Sequence, residues 1–198
     1  MKVNKKTSAV VGLGILTAIV IVLQAFASGI RFGVFSITLV LAPIIVGAAL
    51  YGALAGAWLG LVFGIVVLIT DASVFLAISV PGTIVTCLLK GIAAGAVAGL
   101  IYRALSKKNR LLAVIVAAIA APVANTGLFL LGCRLFFYPT IQDWAQQAGF
   151  ANAGSYLILG MVGVNFLVEA AVNLVLSSAI VQIVNYASKQ MHAAPDKA

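Results

Sequence analysis

The chain has 198 residues, of which 64% are apolar and 8% charged, against about 25% charged in an ordinary soluble protein. So little polar surface excludes a water-soluble globule, and continuous rather than alternating apolar runs argue against a β-barrel, so the composition predicts an all-α integral membrane bundle. The formal net charge of +8 sits in short clusters beside the apolar runs, which is a topology signal rather than a nucleic-acid patch.

The first apolar run covers 8–28, behind Lys2, Lys5 and Lys6. It ends on Ala25-Phe26-Ala27, which resembles a leader cleavage site, but about 20 residues is enough to span a bilayer uncleaved, and the run is read as span one. Gly14 with Ala18, and Ala25 with Gly29, are small pairs four residues apart that let another helix approach closely, either inside the chain or from a partner. A short connection with Arg31 leads to span two, 36–51, which Pro43 is expected to interrupt. A tight turn at 51–55 leads to span three, 54–70, where Gly52, Gly56, Gly60 and Gly64 repeat every fourth residue as a groove for a neighbouring backbone. Trp58 near its start has the place of an interfacial aromatic.

Asp71 closes span three. The loop 71–82 keeps Val74, Phe75, Leu76 and Ile78 and is expected to fold back onto the protein, with Pro81-Gly82 as a candidate hinge. Span four, 81–104, carries Gly91, Gly95 and Gly99 and one awkward residue, Lys90. Ser106-Lys107-Lys108-Asn109-Arg110 is a basic hairpin. Span five, 111–137, is kinked at Pro122, has Asn125-Thr126-Gly127 one turn later, and ends near Arg134 and Phe136-Phe137-Tyr138. Residues 138–155 read as the longest polar loop, its aromatics with Phe136, Phe137 and Tyr156 as an interfacial belt or a lid. Span six covers 156–186 and is long enough to tilt or protrude. The bundle is one domain, 1–188, followed by a polar tail, 189–198. Cys87 and Cys133 lie inside apolar runs and read as small buried hydrophobes.

Six spans put both termini on one side. That side holds Lys2, Lys5, Lys6, Arg103, Lys107, Lys108, Arg110, Lys189 and Lys197, and the other holds Arg31 and Arg134. The positive-inside rule therefore makes the termini cytoplasmic and the protein multi-pass.

The intramembrane polar residues can be compared by depth. At about 1.5 Å per residue, Lys90, Asn125 and Asn165 each lie roughly 14–15 Å from the outer end of their span. Glu169 follows one turn below Asn165, and Asn173 one turn further on the same face. A lysine at that depth costs roughly 2.5–3.5 kcal/mol on insertion scales, so it needs a partner or a wet cavity. One reading is an outward-open pocket for a small ligand with hydroxyl, amide or carboxylate groups, with Arg134 at its mouth. The other is a Lys90–Glu169 ion pair with interhelical asparagine bonds that only hold helices together. Nothing marks an enzyme: the only histidine, His192, is in the tail, and no paired carboxylates, nucleophile elbow, metal-binding or phosphate-binding motif is present. Glu169 alone, as the one acid or base, is thin support for a small intramembrane enzyme. No cofactor is expected, and a non-transport assembly protein is a further alternative.

Several of these stretches resemble a known family: Phe35-Ser36-Ile37-Thr38-Leu39 through Pro43 to Gly47, Ala55-Gly56-Ala57-Trp58 to Gly64, Lys90-Gly91 to Tyr102-Arg103, Asn125-Thr126-Gly127, and Asn165 through Glu169 to Asn173. The pattern resembles the substrate-binding (S) components of energy-coupling factor (ECF) transporters, the bacterial vitamin uptake systems. The resemblance implies a six-helix subunit of the plasma membrane that binds one vitamin in an outward pocket, built from the outer ends of spans four to six and the loops before spans two, four and six. It also implies partners: a membrane coupling subunit, docked through the small residues Gly14 and Ala18, and two ATPase subunits that supply the energy. Within the family the pattern is most similar to the pantothenate-type group, with folate or another water-soluble vitamin as the second reading. The substrate-binding candidates are Lys90, Asn125, Arg134, Asn165 and Glu169.

Overall fold

In the hydrocarbon core no water can satisfy a backbone N–H or C=O, so an apolar chain crosses it as helix. The computed structural model describes residues 5–29, 31–32, 35–36 and 39–193. Its helices are α1 (Lys5–Ala27), α2 (Leu41–Tyr51), α3 (Ala53–Thr70), a single turn α4 (Ser73–Leu76), α5 (Val80–Leu105), α6 (Arg110–Phe136), α7 (Tyr138–Gln147), a short turn α8 (Ala153–Ser155) and α9 (Gly163–Ala193). A π-helical segment, Tyr156–Val162, joins α8 to α9 without a break. Between α1 and α2, Arg31–Phe32 and Phe35–Ser36 form a two-residue antiparallel ladder, β1 and β2. Lys2, Ile37, Thr38 and Lys197, which the sequence reading used, lie outside the described residues.

Among the described residues five helical stretches are long and apolar enough to cross a membrane: Thr7–Ala27, Ala53–Thr70, Val80–Leu105, Arg110–Phe136 and Ala153–Lys189. The sixth apolar helix, α2, has 11 residues, about 16 Å, roughly half of the ~30 Å hydrocarbon thickness. Its proline corrects an expectation. Pro43 does not interrupt a longer span; it is the third residue of a helix that begins at Leu41. N–H groups in a first turn have no intrahelical partner, so proline costs nothing there. Gly52, at φ +92°, turns the chain sharply from α2 into α3. It therefore stands outside the α3 glycine series.

The contacts give each helix a direction. Gly56 abuts Gly95, Gly60 abuts Gly91 and Gly64 abuts Cys87, all backbone to backbone, so α3 and α5 run antiparallel. Gly132 lies against Thr86 and Gly82 against Phe136, so α5 and α6 are antiparallel too. Arg110 donates to Asn185 Oδ1 at 3.0 Å across α6 and α9. Gly12 meets Tyr51, Trp58 Nε1 donates to Thr17 Oγ1 at 3.2 Å and Gln24 Nε2 donates to Asp71 Oδ2 at 3.1 Å, which sets α1 parallel to α3. The six helices alternate, and the start of α1 shares a side with the end of α9 and the 106–109 hairpin. With the basic residues on that side, the positive-inside rule makes it cytoplasmic.

Three apolar clusters fill the bundle. On the cytoplasmic half, Val114, Ala117, Ala118 and Ala121 of α6 meet Ile180 and Val184 of α9 and Ile45 of α2. A second joins α1, α2, α3 and α5 around Leu41, Ile44, Leu59 and Phe63. The third lies at the outer end and differs from expectation. Residues 138–155 are not an open polar loop, because α7 folds down with Ile141 and Ala145 fully buried. Phe137 is 1% exposed, so it belongs to this cluster and not to a surface belt. It packs with Phe75 at 5.0 Å between ring centroids, and Phe75 in turn meets Phe129 at 5.7 Å and Trp144 at 6.1 Å. The greasy segment after α3 thus plugs inward through Phe75 of α4. Pro81 and Gly82 lie in the first turn of α5, where Ser79 Oγ accepts from Gly82 N at 3.2 Å. They form a capped helix start pressed on Phe136 rather than a hinge.

Candidate functional site

A cavity of about 540 Å³ of atom-free space, its open mouth included, lies between the cytoplasmic and outer clusters. Lys90 of α5, Asn125 of α6 and Asn165 and Glu169 of α9 all line it. Their shared level follows from the helix geometry. Lys90, Asn125 and Asn165 lie 10, 11 and 12 residues from Val80, Phe136 and Ala153, the outer ends of their spans, so similar counts from the same side give similar depth, with Glu169 one turn deeper. Pro122, three residues before Asn125, interrupts the α6 hydrogen-bond ladder beside the cavity. The π-helical segment ends at Val162, which also lines the cavity.

The ammonium of Lys90 stands 5.6 Å from the Phe63 ring centroid and 5.5 Å from that of Phe129. Two rings flank one cation, an arrangement that stabilises it by roughly 1–2 kcal/mol when desolvated and leaves its N–H groups able to meet a ligand oxygen. Asn125, Asn165 and Glu169 are each more than nine-tenths buried. Asn125 Oδ1 and both amide atoms of Asn165 have no hydrogen-bond partner. An unsatisfied buried polar atom costs about 1–3 kcal/mol, and three within one cavity mark a place where a polar ligand recovers that cost. Asn173, though on the same face as Glu169, turns back and donates to the Glu169 carbonyl at 2.8 Å, so it serves its own helix.

Arg134 is placed differently from these four. It is exposed, does not line the cavity, and its guanidinium stacks on Tyr138 at 4.0 Å from the ring centroid. The small pair on α1 is open: Gly14 and Ala18 are exposed, and a Cβ built on Gly14 meets nothing within 4 Å.

Two residues that the sequence reading passed over also line the cavity, Gln24 of α1 and Asp71 at the end of α3. Gln24 is 1% exposed. Its Nε2 donates to Asp71 and its Oε1 has no partner. Asp71 Oδ2 also accepts from Thr70 Oγ1 at 3.0 Å. The signal was present: Gln24 is the one amide in an otherwise apolar first span, where a polar side chain needs a partner. Span one therefore contributes to the site, which the family resemblance had assigned to spans four to six and three loops. Thr126, Phe129 and Phe166 complete the wall.

The profile of the family described as "ECF transporter, substrate-specific component" matches residues 8–181. The chain is also 29% identical over 196 residues to the pantothenic acid transporter PanT of Lactococcus lactis subsp. cremoris (strain MG1363), covering 90% of this chain and 94% of that protein. No solved structure matched the chain.

Proposed function

The chain belongs to the family of ECF transporter substrate-specific components, and we propose that its substrate is pantothenate, captured from outside the cell in the cavity around Lys90. One observation carries this reading: a deep cavity holds one cation beside amide atoms that have no partner in the protein. Pantothenate presents the complementary set. Its carboxylate suits the Lys90 ammonium as a charge-assisted pair. The hydroxyl next to its amide and the amide N–H suit the free acceptors of Gln24, Asn125 and Asn165, and its carbonyl suits the Asn165 N–H. Glu169, one turn below Asn165, is a further acceptor at the floor. Arg134, outside the cavity, acts on the approach of an anion through its field rather than by contact. The similarity to a pantothenic acid transporter supports the same substrate.

The partners on this reading are one membrane coupling subunit and two ATPases. The exposed Gly14 and Ala18 face of α1 is the docking surface, since small residues let a second helix come close. Gly14→Leu is expected to abolish co-purification of the coupling subunit while vitamin binding persists; unchanged co-purification places the docking face elsewhere.

The substrate is tested on purified protein in detergent with pantothenate, folate, riboflavin, thiamine and biotin, read by thermal shift, with mass spectrometry of any compound that co-purifies. A shift with pantothenate alone is expected. A shift with another vitamin and none with pantothenate replaces the substrate, and no shift with any of the five removes the reading.

A further inference from the structure

A second, smaller chamber, of about 340 Å³ of atom-free space with its opening included, adjoins the main cavity. Lys90 and Phe129 line both, so this ammonium and this ring stand at the junction. The two chambers differ in chemistry. The main cavity is walled by amides and carboxylates, whereas the second is walled mostly by Val67, Ala72, Phe75, Cys87 and Phe137, shares Asp71 with the main cavity, and has the hydroxyls of Thr83 and Thr86 at its edge. Thr86 is 5% exposed and its Oγ1 has no hydrogen-bond partner. Its seat is made by Gly132 of α6, where any Cβ would overlap the threonine side chain. By contrast, Thr83 one turn earlier donates to the Ser79 carbonyl at 2.7 Å. The local helix thus offers one threonine a backbone partner and leaves the hydroxyl of the other unpaired, beside Gly132 at the chamber wall. Apart from Lys90 and Asp71 at the junction with the main cavity, such a space suits a compact branched hydrocarbon group bearing a single hydroxyl, and an amide-rich group away from that junction would lose hydration without replacement.

We propose that the chamber beside Thr86 is an apolar subsite that takes the branched, hydroxyl-bearing end of the substrate, while the carboxylate and amide stay on the main-cavity side of Lys90. This rests on the pantothenate reading: that molecule carries a gem-dimethyl carbon next to a primary hydroxyl at the end remote from its carboxylate. The subsite fixes which way round the substrate enters and selects for branching, a property the Lys90 cavity alone does not read.

The test is calorimetric binding of pantothenate and of its analogue lacking the two methyl groups. Burying two methyl groups corresponds to roughly tenfold or somewhat more in affinity, so the wild type is expected to prefer pantothenate by about that factor. Cys87 also lines the chamber, and Cys87→Leu fills it, which is expected to bring the ratio to about one by weakening pantothenate and sparing the analogue. Thr86→Val keeps the volume and so gives a readout even if the larger leucine at 87 disturbs folding; it is expected to weaken pantothenate about fivefold, the size of one hydrogen bond. A wild-type ratio near one, a ratio unchanged in Cys87→Leu, or full affinity in Thr86→Val overturns the subsite and leaves the pantothenate reading standing. A wild type that does not bind pantothenate overturns both.

Discussion

The two faces of α5 show how one helix serves opposite ends. On one face Gly91 and Gly95 lie so close to Gly60 and Gly56 of α3 that a Cβ on any of them would fall on the facing backbone. On the other, Thr86 and Lys90 border open space. The first face has no polar chemistry and no slack. The second has polar atoms without partners and room for a ligand. In a bilayer no hydrophobic force drives helices together, so close packing of small residues must hold the bundle. The seam's rigidity allows the cavity wall beside it to keep unsatisfied groups that would otherwise pull in a neighbour.

The largest effect is expected at the seam. Gly95→Val places branched carbons where the Gly56 carbonyl stands, an overpacking that costs at the upper end of about 1–3 kcal/mol or more. Loss of monodisperse protein, or a melting temperature lowered by many degrees, is the readout. A normal melting curve would show that the seam does not hold the bundle. The cavity should behave oppositely. Asn165→Leu removes two unpartnered buried atoms, so the ligand-free protein is expected to become about 1 kcal/mol more stable while pantothenate affinity falls about tenfold. A variant that binds normally would move Asn165 out of the site. Loss of stability would make it a packing residue. The smallest effect separates glycines that are filled around from glycines that are not. Gly127, beside Asn125 on α6, is exposed and has nothing within 4 Å of a built Cβ. Gly127→Ala is expected to raise stability by about 0.5–1 kcal/mol through helix propensity alone, measured by thermal unfolding.

The sequence made the seam and most of the cavity visible for the same reason. Repeats of four residues, and polar residues counted from the end of an apolar run, both convert to position through the fixed helical rise. That arithmetic alone brings Lys90, Asn125 and Asn165 to one level, with Glu169 a turn below. What it missed lay where the rise does not apply. Asp71 stands at a helix end, where burial depends on how the next segment returns, and Phe75 decides that by inserting inward. Gln24 was a single polar residue with no repeat to give it a face. The polar composition of 138–155 concealed α7, whose apolar side is only Ile141 and Ala145 deep. The start of α2 is not legible because a proline in an apolar run fits both a broken span and a helix's first turn, and Pro43 takes the second place.

Substrate recognition turns on whether the Lys90 ammonium receives a substrate carboxylate. The direct measurement is calorimetric binding of pantothenate and of its neutral alcohol analogue, pantothenol, to the wild type and to Lys90→Met. A charge-assisted bond is worth about 1.5–3 kcal/mol, so the wild type should prefer pantothenate by at least about tenfold. Lys90→Met should fold, bind pantothenol as before and show no preference for the anion. Equal affinities in the wild type, or a preference that survives in Lys90→Met, would contradict the account.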